Sequence, residues 1–195
     1  MIAGIDPGLS GALFFMDPDN PANGEAADLP VHLLIRGGKK KRELDTAGLI
    51  GILTPHRLDH VLLEQVNAMP GQGVSGVFAF GKCYGVILGI VAARSIPLTL
   101  VTPTVWKRAL GVPKAKDGAR ARASQLLPGA AHQWSLKKHD GRAEACLLAL
   151  YGLRILGGGY GSSGKTAERT VFTEEWTWQP AVGCGQIMLT KMVTE

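Results

Sequence analysis

The chain has 195 residues, enough for one domain with a full core and a tail, and its 46% hydrophobic and 19% charged residues are globular usage that excludes a disordered or fibrous protein. No uninterrupted apolar run is read as a membrane span, and Met1-Ile2-Ala3-Gly4-Ile5-Asp6 lacks the basic-then-apolar pattern of a secretory leader. The net charge of +5 is regional: residues 107–142 carry nine Lys/Arg against two acids, so the remainder is slightly acidic and the basic stretch reads either as a footprint for a polyanion or as a solvated helical surface.

Residues 1–36 read as three strands, at 2–6, at 12–16 and somewhere within 27–36, with 17–24 a turn by composition. The first strand ends in Asp6, and Pro7, Gly8 and Gly11 follow in a tight turn. This is either a hairpin with a chance carboxylate or a place where phosphate comes close to backbone. Residues 37–42, Gly-Gly-Lys-Lys-Lys-Arg, read as a flexible basic loop, and Asp45 as the N-cap of a helix over 46–53. A short buried strand at 61–64 again ends in a carboxylate, Glu64, and a Gly/Pro loop follows at 65–73. The helix predicted over about 75–95 is rich in glycine, which costs up to ~1 kcal/mol per residue in a helix, so close packing is expected there, against the sheet or a partner subunit. A strand at 98–102 leads through Thr102-Pro103 into a helix ending near 110, and a short basic helix spans 119–127. The last helix, 140–156, carries Asp140 and Glu144 one turn apart on one face, continued by Leu147, Leu148 and Tyr151. Like charges at that spacing repel, so a cation is needed to hold both ionised, although the helix dipole alone favours one carboxylate there.

The right-handed crossover rule sets the Glu64 strand parallel to and beside the first, so Asp6 and Glu64 end neighbouring strands at one sheet edge, and a helix crossing that edge adds Asp140 and Glu144. Four clustered carboxylates call for divalent cations, and all-oxygen ligation suits Mg2+ or Mn2+. Two such ions about 4 Å apart clamp an in-line phosphoryl displacement, and the basic stretch is expected to hold the phosphates of a polyanionic substrate.

Three stations, Gly4-Ile5-Asp6-Pro7-Gly8-Leu9-Ser10-Gly11, Leu63-Glu64-Gln65 and Lys137-Lys138-His139-Asp140-Gly141-Arg142-Ala143-Glu144-Ala145, together resemble the RuvC family of Holliday junction resolvases, nearest its phage-type and chloroplast-type branches, over about residues 1–156. The resemblance implies an α/β, RNase H-like mixed five-stranded sheet flanked by helices, with residues 157–195 a C-terminal extension. It implies a Mg2+-dependent (or Mn2+-dependent) homodimer with two ions per active site, nicking branched DNA in pairs to leave 5′-phosphate and 3′-hydroxyl ends. Asp6, Glu64, Asp140 and Glu144 are then the catalytic metal ligands, and Lys107, Lys114, Lys116, Arg120, Lys137, Lys138 and Arg142 face DNA. The last two acids lie four apart and end in Glu144 where bacterial members have three and Asp, which makes His139 an alternative ligand or proton shuttle to Asp140. Bacterial members also carry an aromatic just after the strand glutamate; Asn67 holds that spacing here, so a wedge at the crossover passes to Met69 or to the loop containing Gln72.

Cys83, Cys146 and Cys184 show no metal spacing and read as reduced thiols. With the family likeness they imply a cytoplasmic, nucleoid-associated protein of a bacterial or phage-infected cell, free of membrane; no transit peptide is read, and organellar import stays an alternative. Two rivals share the first motif or the DNA: an actin-like ATPase fragment, for which the chain is too short, and a catalytically silent junction binder, which four intact carboxylates oppose. Gly159-Tyr-Gly-Ser-Ser-Gly164-Lys165-Thr166 matches the P-loop expression but lacks the preceding strand and following helix that the mechanism needs.

Overall fold

The computed structural model describes residues 1–67, 71 and 73–157, without the side chains of Arg36 and Lys39. Met69, Gln72, Cys184, the P-loop-like segment and the extension from 158 onward lie outside the described residues.

Among the described residues, seven strands and five α-helices run in the order β1 (Ile2–Asp6), β2 (Ala12–Asp17), β3 (Asn20–Asp28), β4 (Val31–Arg36), β5 (Lys39–Leu44), α1 (Thr46–Leu53), β6 (His60–Glu64), α2 (Val74–Ala93), β7 (Leu98–Val101), α3 (Pro103–Ala109), α4 (Gly118–Leu126) and α5 (Asp140–Ile155). Two short 3-10 turns, Pro128–Trp134 and Lys137–His139, link α4 to α5. The main sheet has the order β3-β2-β1-β6-β7, with β2 antiparallel to both β1 and β3, and β6 parallel to both β1 and β7. This is the mixed five-stranded sheet flanked by helices expected of an RNase H-like fold. The strands bury both faces: Phe14, Met16 and Leu62 join α3, α4 and α5 in one core, while Ile5, Leu13 and Leu63 join α1 and α2 in the other.

Two strand assignments differ from the sequence expectation. The third strand of the sheet is Asn20–Asp28, not a segment within 27–36, and the turn shrinks to 17–20, where the Asp17 carboxylate accepts the Asp19 amide at 3.0 Å. As an edge strand β3 tolerates Pro21 and Gly24; a Cβ on Gly24 would stand 2.3 Å from the Phe14 ring, so only glycine lets that ring pack beneath it. Residues 31–36 pair instead with 39–44 in a separate hairpin, in register from Val31↔Leu44 to Arg36↔Lys39. The basic run is therefore strand rather than loop, because Gly37 and Gly38, at φ 58° and 71°, close a two-residue turn whose twist matches paired strands.

The helices follow their local signals. Asp45 accepts the Gly48 amide at 2.9 Å as the N-cap of α1, and Pro103 opens α3. Helix α5 is buried around most of its circumference and presses on β1 so closely that a Cβ on Gly4 would lie 2.1 Å from the Ala145 carbonyl oxygen. Helix α2 buries Cys83, Ile87, Ile90 and Val91 against the sheet, yet Cβ atoms built on Gly76, Gly81, Gly85 and Gly89 would meet nothing within 4 Å. Of the two packing partners expected for these glycines, the sheet is thus ruled out. By length and composition alone α2 also meets the requirement for a membrane-crossing helix, with mean hydropathy 1.8, which the reading of the bare sequence did not anticipate.

Candidate metal centre

The parallel pairing of Ile5 with Leu63 brings the ends of β1 and β6 level, so Asp6 and Glu64 leave the same sheet edge side by side. Helix α5 crosses that edge by its first turns. Its Gly141 is what admits it: a Cβ there would sit 2.8 Å from the Ser10 carbonyl oxygen, 2.9 Å from Asp6 Oδ2 and 3.0 Å from Gly11 Cα. One turn on, Glu144 faces the same point, and single carboxylate oxygens of Asp6, Glu64 and Glu144 all lie within 4.8 Å of one another. Asp6 and Glu144 line a cleft shared with Ser10, Gly11, Lys116 and Asp140, while Glu64 is buried behind them.

Clustering three carboxylates is electrostatically unfavourable without a matching positive charge. Burial pushes the Asp6 carboxyl up to about 8, with Glu144 and then Glu64 adding to it and Lys107 opposing. Glu64 is raised for the same first reason, burial, and then by Glu144; the Trp106 indole N–H and Lys107 pull it back. Trp106, fully buried, donates to Glu64 Oε1 at 3.0 Å, and Lys107 Nζ holds Glu144 Oε1 at 2.8 Å while lying 5.0 Å from the centre of the Trp106 ring. Among the described residues, Lys107 is the cation that pairs directly with this group of carboxylates.

The remaining residues singled out in the sequence fall into distinct places. Asp140 lies on the cleft wall but not in the three-carboxylate group: its Oδ1 accepts Arg120 Nε at 2.6 Å. Arg142 turns away from the cleft and grips Asp28 on β3 through two 2.6 Å bonds, with a third, at 3.1 Å, to the Gln133 carbonyl oxygen. That fork holds Asp28 below the usual carboxylate range. Lys107, Arg120 and Arg142, expected at phosphates, are thus each engaged by a carboxylate. Lys114, Lys116, Lys137, Lys138 and Asn67 are exposed. His139 occupies the N-cap position of α5 without a side-chain cap bond; its buried Nδ1 has no partner among the described residues, and burial holds the ring below its ordinary value.

Sequence reasoning passed over three residues that shape the centre. Trp106 carried a signal, an indole beside Lys107 on the helix that leaves the strand next to β6; Gly141 carried one too, a glycine between the two helix acids. Arg42 carried none, since its bonds to Ser10 Oγ at 3.3 Å and to the Leu9 carbonyl oxygen come from a hairpin that composition did not reveal.

No protein-family model and no curated protein matches the chain. Among solved structures the chain is similar to RuvC of Thermus thermophilus in complex with a Holliday junction substrate, at 15% identity and TM-score 0.49, over 80% of this chain and 96% of that one. It is also similar to the fowlpox virus resolvase in complex with Holliday junction DNA, at 18% identity and TM-score 0.46, over 79% of this chain and 99% of that one.

Proposed function

We propose that the protein is a metal-dependent nuclease that resolves four-way DNA junctions as a homodimer, through the three-station pattern it shares with RuvC-like resolvases. One observation carries the reading: carboxylates from two adjacent parallel strand ends and from a crossing helix converge within 4.8 Å, and two of them, Asp6 and Glu144, line an open cleft. The donor set fits a hard divalent cation, being all oxygen, partly buried and charged beyond what Lys107 offsets. Asp6, Glu64 and Glu144 would hold Mg2+ or Mn2+, two ions per site, with Asp140 the fourth carboxylate at the cleft in its ion pair with Arg120. A divalent ion held by these carboxylates would supply activation of water as the nucleophile and charge stabilisation at the leaving oxygen, for cleavage that leaves 5′-phosphate and 3′-hydroxyl ends.

The chain's own groups do the rest. Trp106 fixes the direction of Glu64, Lys107 steadies Glu144, and Lys116 at the cleft, with exposed Lys114 two residues before it and exposed Lys137 and Lys138 just before α5, holds phosphates on either side of the scissile bond. The small-residue face of α2, bare at Gly81, Gly85 and Gly89 and flanked by Val74 and Phe78 at 85% and 75% exposure, is where the second subunit packs.

Asp6→Asn and Glu64→Gln test the assignment, since each removes a ligand charge and leaves the phosphate-facing lysines in place. Both variants are expected to bind a four-way junction as the wild type does and to nick it only at background rate; full nicking by both overturns the metal assignment. Binding without nicking by the wild type in any divalent ion makes the protein a silent junction binder instead.

A further inference from the structure

The β4–β5 hairpin stands outside the main sheet and is anchored at its root, where Leu44 is buried in the α1–α2 core and Lys82 of α2 pairs with Glu43 at 3.0 Å. An isolated two-stranded ribbon is marginal without such packing. Residues directly opposite in an antiparallel pair share a face, so Leu33 with Arg42 and Ile35 with Lys40 form one apolar and cationic surface. Leu33 and Ile35 are 64% and 74% exposed, and Lys40, Lys41 and Arg42 are exposed along β5. Arg42 ties this face to Leu9 and Ser10, residues of the cleft wall next to Asp6.

We propose that this hairpin is a DNA-contacting arm at the mouth of the acidic cleft, its basic strand holding phosphates while Leu33 and Ile35 lie against bases exposed where the strands part; the proposal rests on the nuclease reading above. The charges choose the occupant. A second copy docked on the same face by two-fold symmetry would bring Lys40 and Arg42 near their own equivalents, whereas a phosphodiester strand neutralises them. A two-stranded ribbon fits a DNA groove, and aliphatic side chains beside cations suit unstacked base steps.

The test uses the full chain, with Arg42 left intact because it touches Ser10. Affinity for a labelled four-way junction is measured against salt concentration, alongside the fluorescence of 2-aminopurine placed at the crossover. Lys40→Glu is expected to weaken binding several-fold and to reduce the log–log salt slope by about one, for the single phosphate held by the lysine on this face. Lys40→Gln is expected to do the same more mildly, and it keeps the test alive if charge reversal disturbs the hairpin. Leu33→Ser/Ile35→Ser is expected to keep the slope and lose the 2-aminopurine signal. Unchanged affinity and slope in both lysine variants overturns the arm, as does a Leu33→Ser/Ile35→Ser protein that changes oligomeric mass rather than base opening. A wild-type chain that binds no junction overturns the nuclease reading and the arm with it.

Discussion

The indole of Trp106 is the most consequential single group outside the carboxylates, because it leaves Glu64 one oxygen committed and one available. Partners of metal-binding side chains typically alter metal affinity by 10–100-fold. Trp106→Phe retains most of the packing and removes the N–H, so the Mg2+ concentration giving half-maximal nicking is expected to rise by about that factor, with activity recovered at high Mg2+. A fall in thermal stability with an unmoved Mg2+ profile would reduce Trp106 to a packing residue. Asp6 makes a second prediction, through pH. Its folded-state value of about 8 lies above the ordinary 3.8, so the native state binds the proton more tightly and loses stability as pH rises between those values. Asp6→Asn is neutral throughout. In metal-free buffer it is expected to melt above the wild type at pH 8, by about 2–4 °C for each kcal/mol relieved, and to match it below pH 4. A variant less stable than wild type at pH 8 contradicts the buried-charge account. At this scale the sequence was informative where chemistry is local: two strands ending in acids and an acid pair one helical turn apart are visible in the letters. The partners of Arg120 and Arg142 were not, since Asp28 lies 114 positions from Arg142 and only the fold brings them together.

Among the elements, α5 decides the geometry of the centre, because its first turn must pass over the Asp6–Gly11 turn at backbone distance. Gly141→Ala forces a methyl to within 3.0 Å of three atoms there, one of them an Asp6 carboxylate oxygen and the other two backbone atoms of Ser10 and Gly11. Overpacking of this kind costs about 1–3 kcal/mol. The expected outcome is a lower Tm together with a larger loss of nicking than the stability loss accounts for, because Asp6 is displaced; normal nicking at reduced Tm would show that α5 can shift without moving the carboxylate. Elements whose boundaries have their own chemistry were legible in advance: the Asp45 cap, Pro103 at the start of α3, the acids at the ends of β1 and β6. The edge strand β3 and the hairpin were not. Asn20–Asp28 is written in turn-forming residues and becomes a strand because β2 offers it a ladder, and Lys39–Leu44 looks solvated until Gly37-Gly38 folds it back on Val31–Arg36.

At the scale of the described residues, the fold combines a sheet with both faces covered, a centre at one edge and a helix face on which Gly81, Gly85 and Gly89 meet no described residue. The order β3-β2-β1-β6-β7 follows from short connections and a right-handed crossover, which is why the sheet's central strands could be placed from sequence. The bare stripe on α2 could not be assigned that way, because glycine in a helix signals close packing without saying against what. In the proposed dimer, two subunits joined through that stripe would carry two metal centres related by symmetry, and paired nicking would be the signature. The measurement that bears on this most directly is the mapping of cuts on a mobile four-way junction labelled on each strand in turn, with Mg2+ present. The account predicts two nicks at symmetry-related positions flanking the crossover, with 5′-phosphate and 3′-hydroxyl ends and none in Glu64→Gln; cuts that fall equally on linear duplex, or that survive in Glu64→Gln, contradict it.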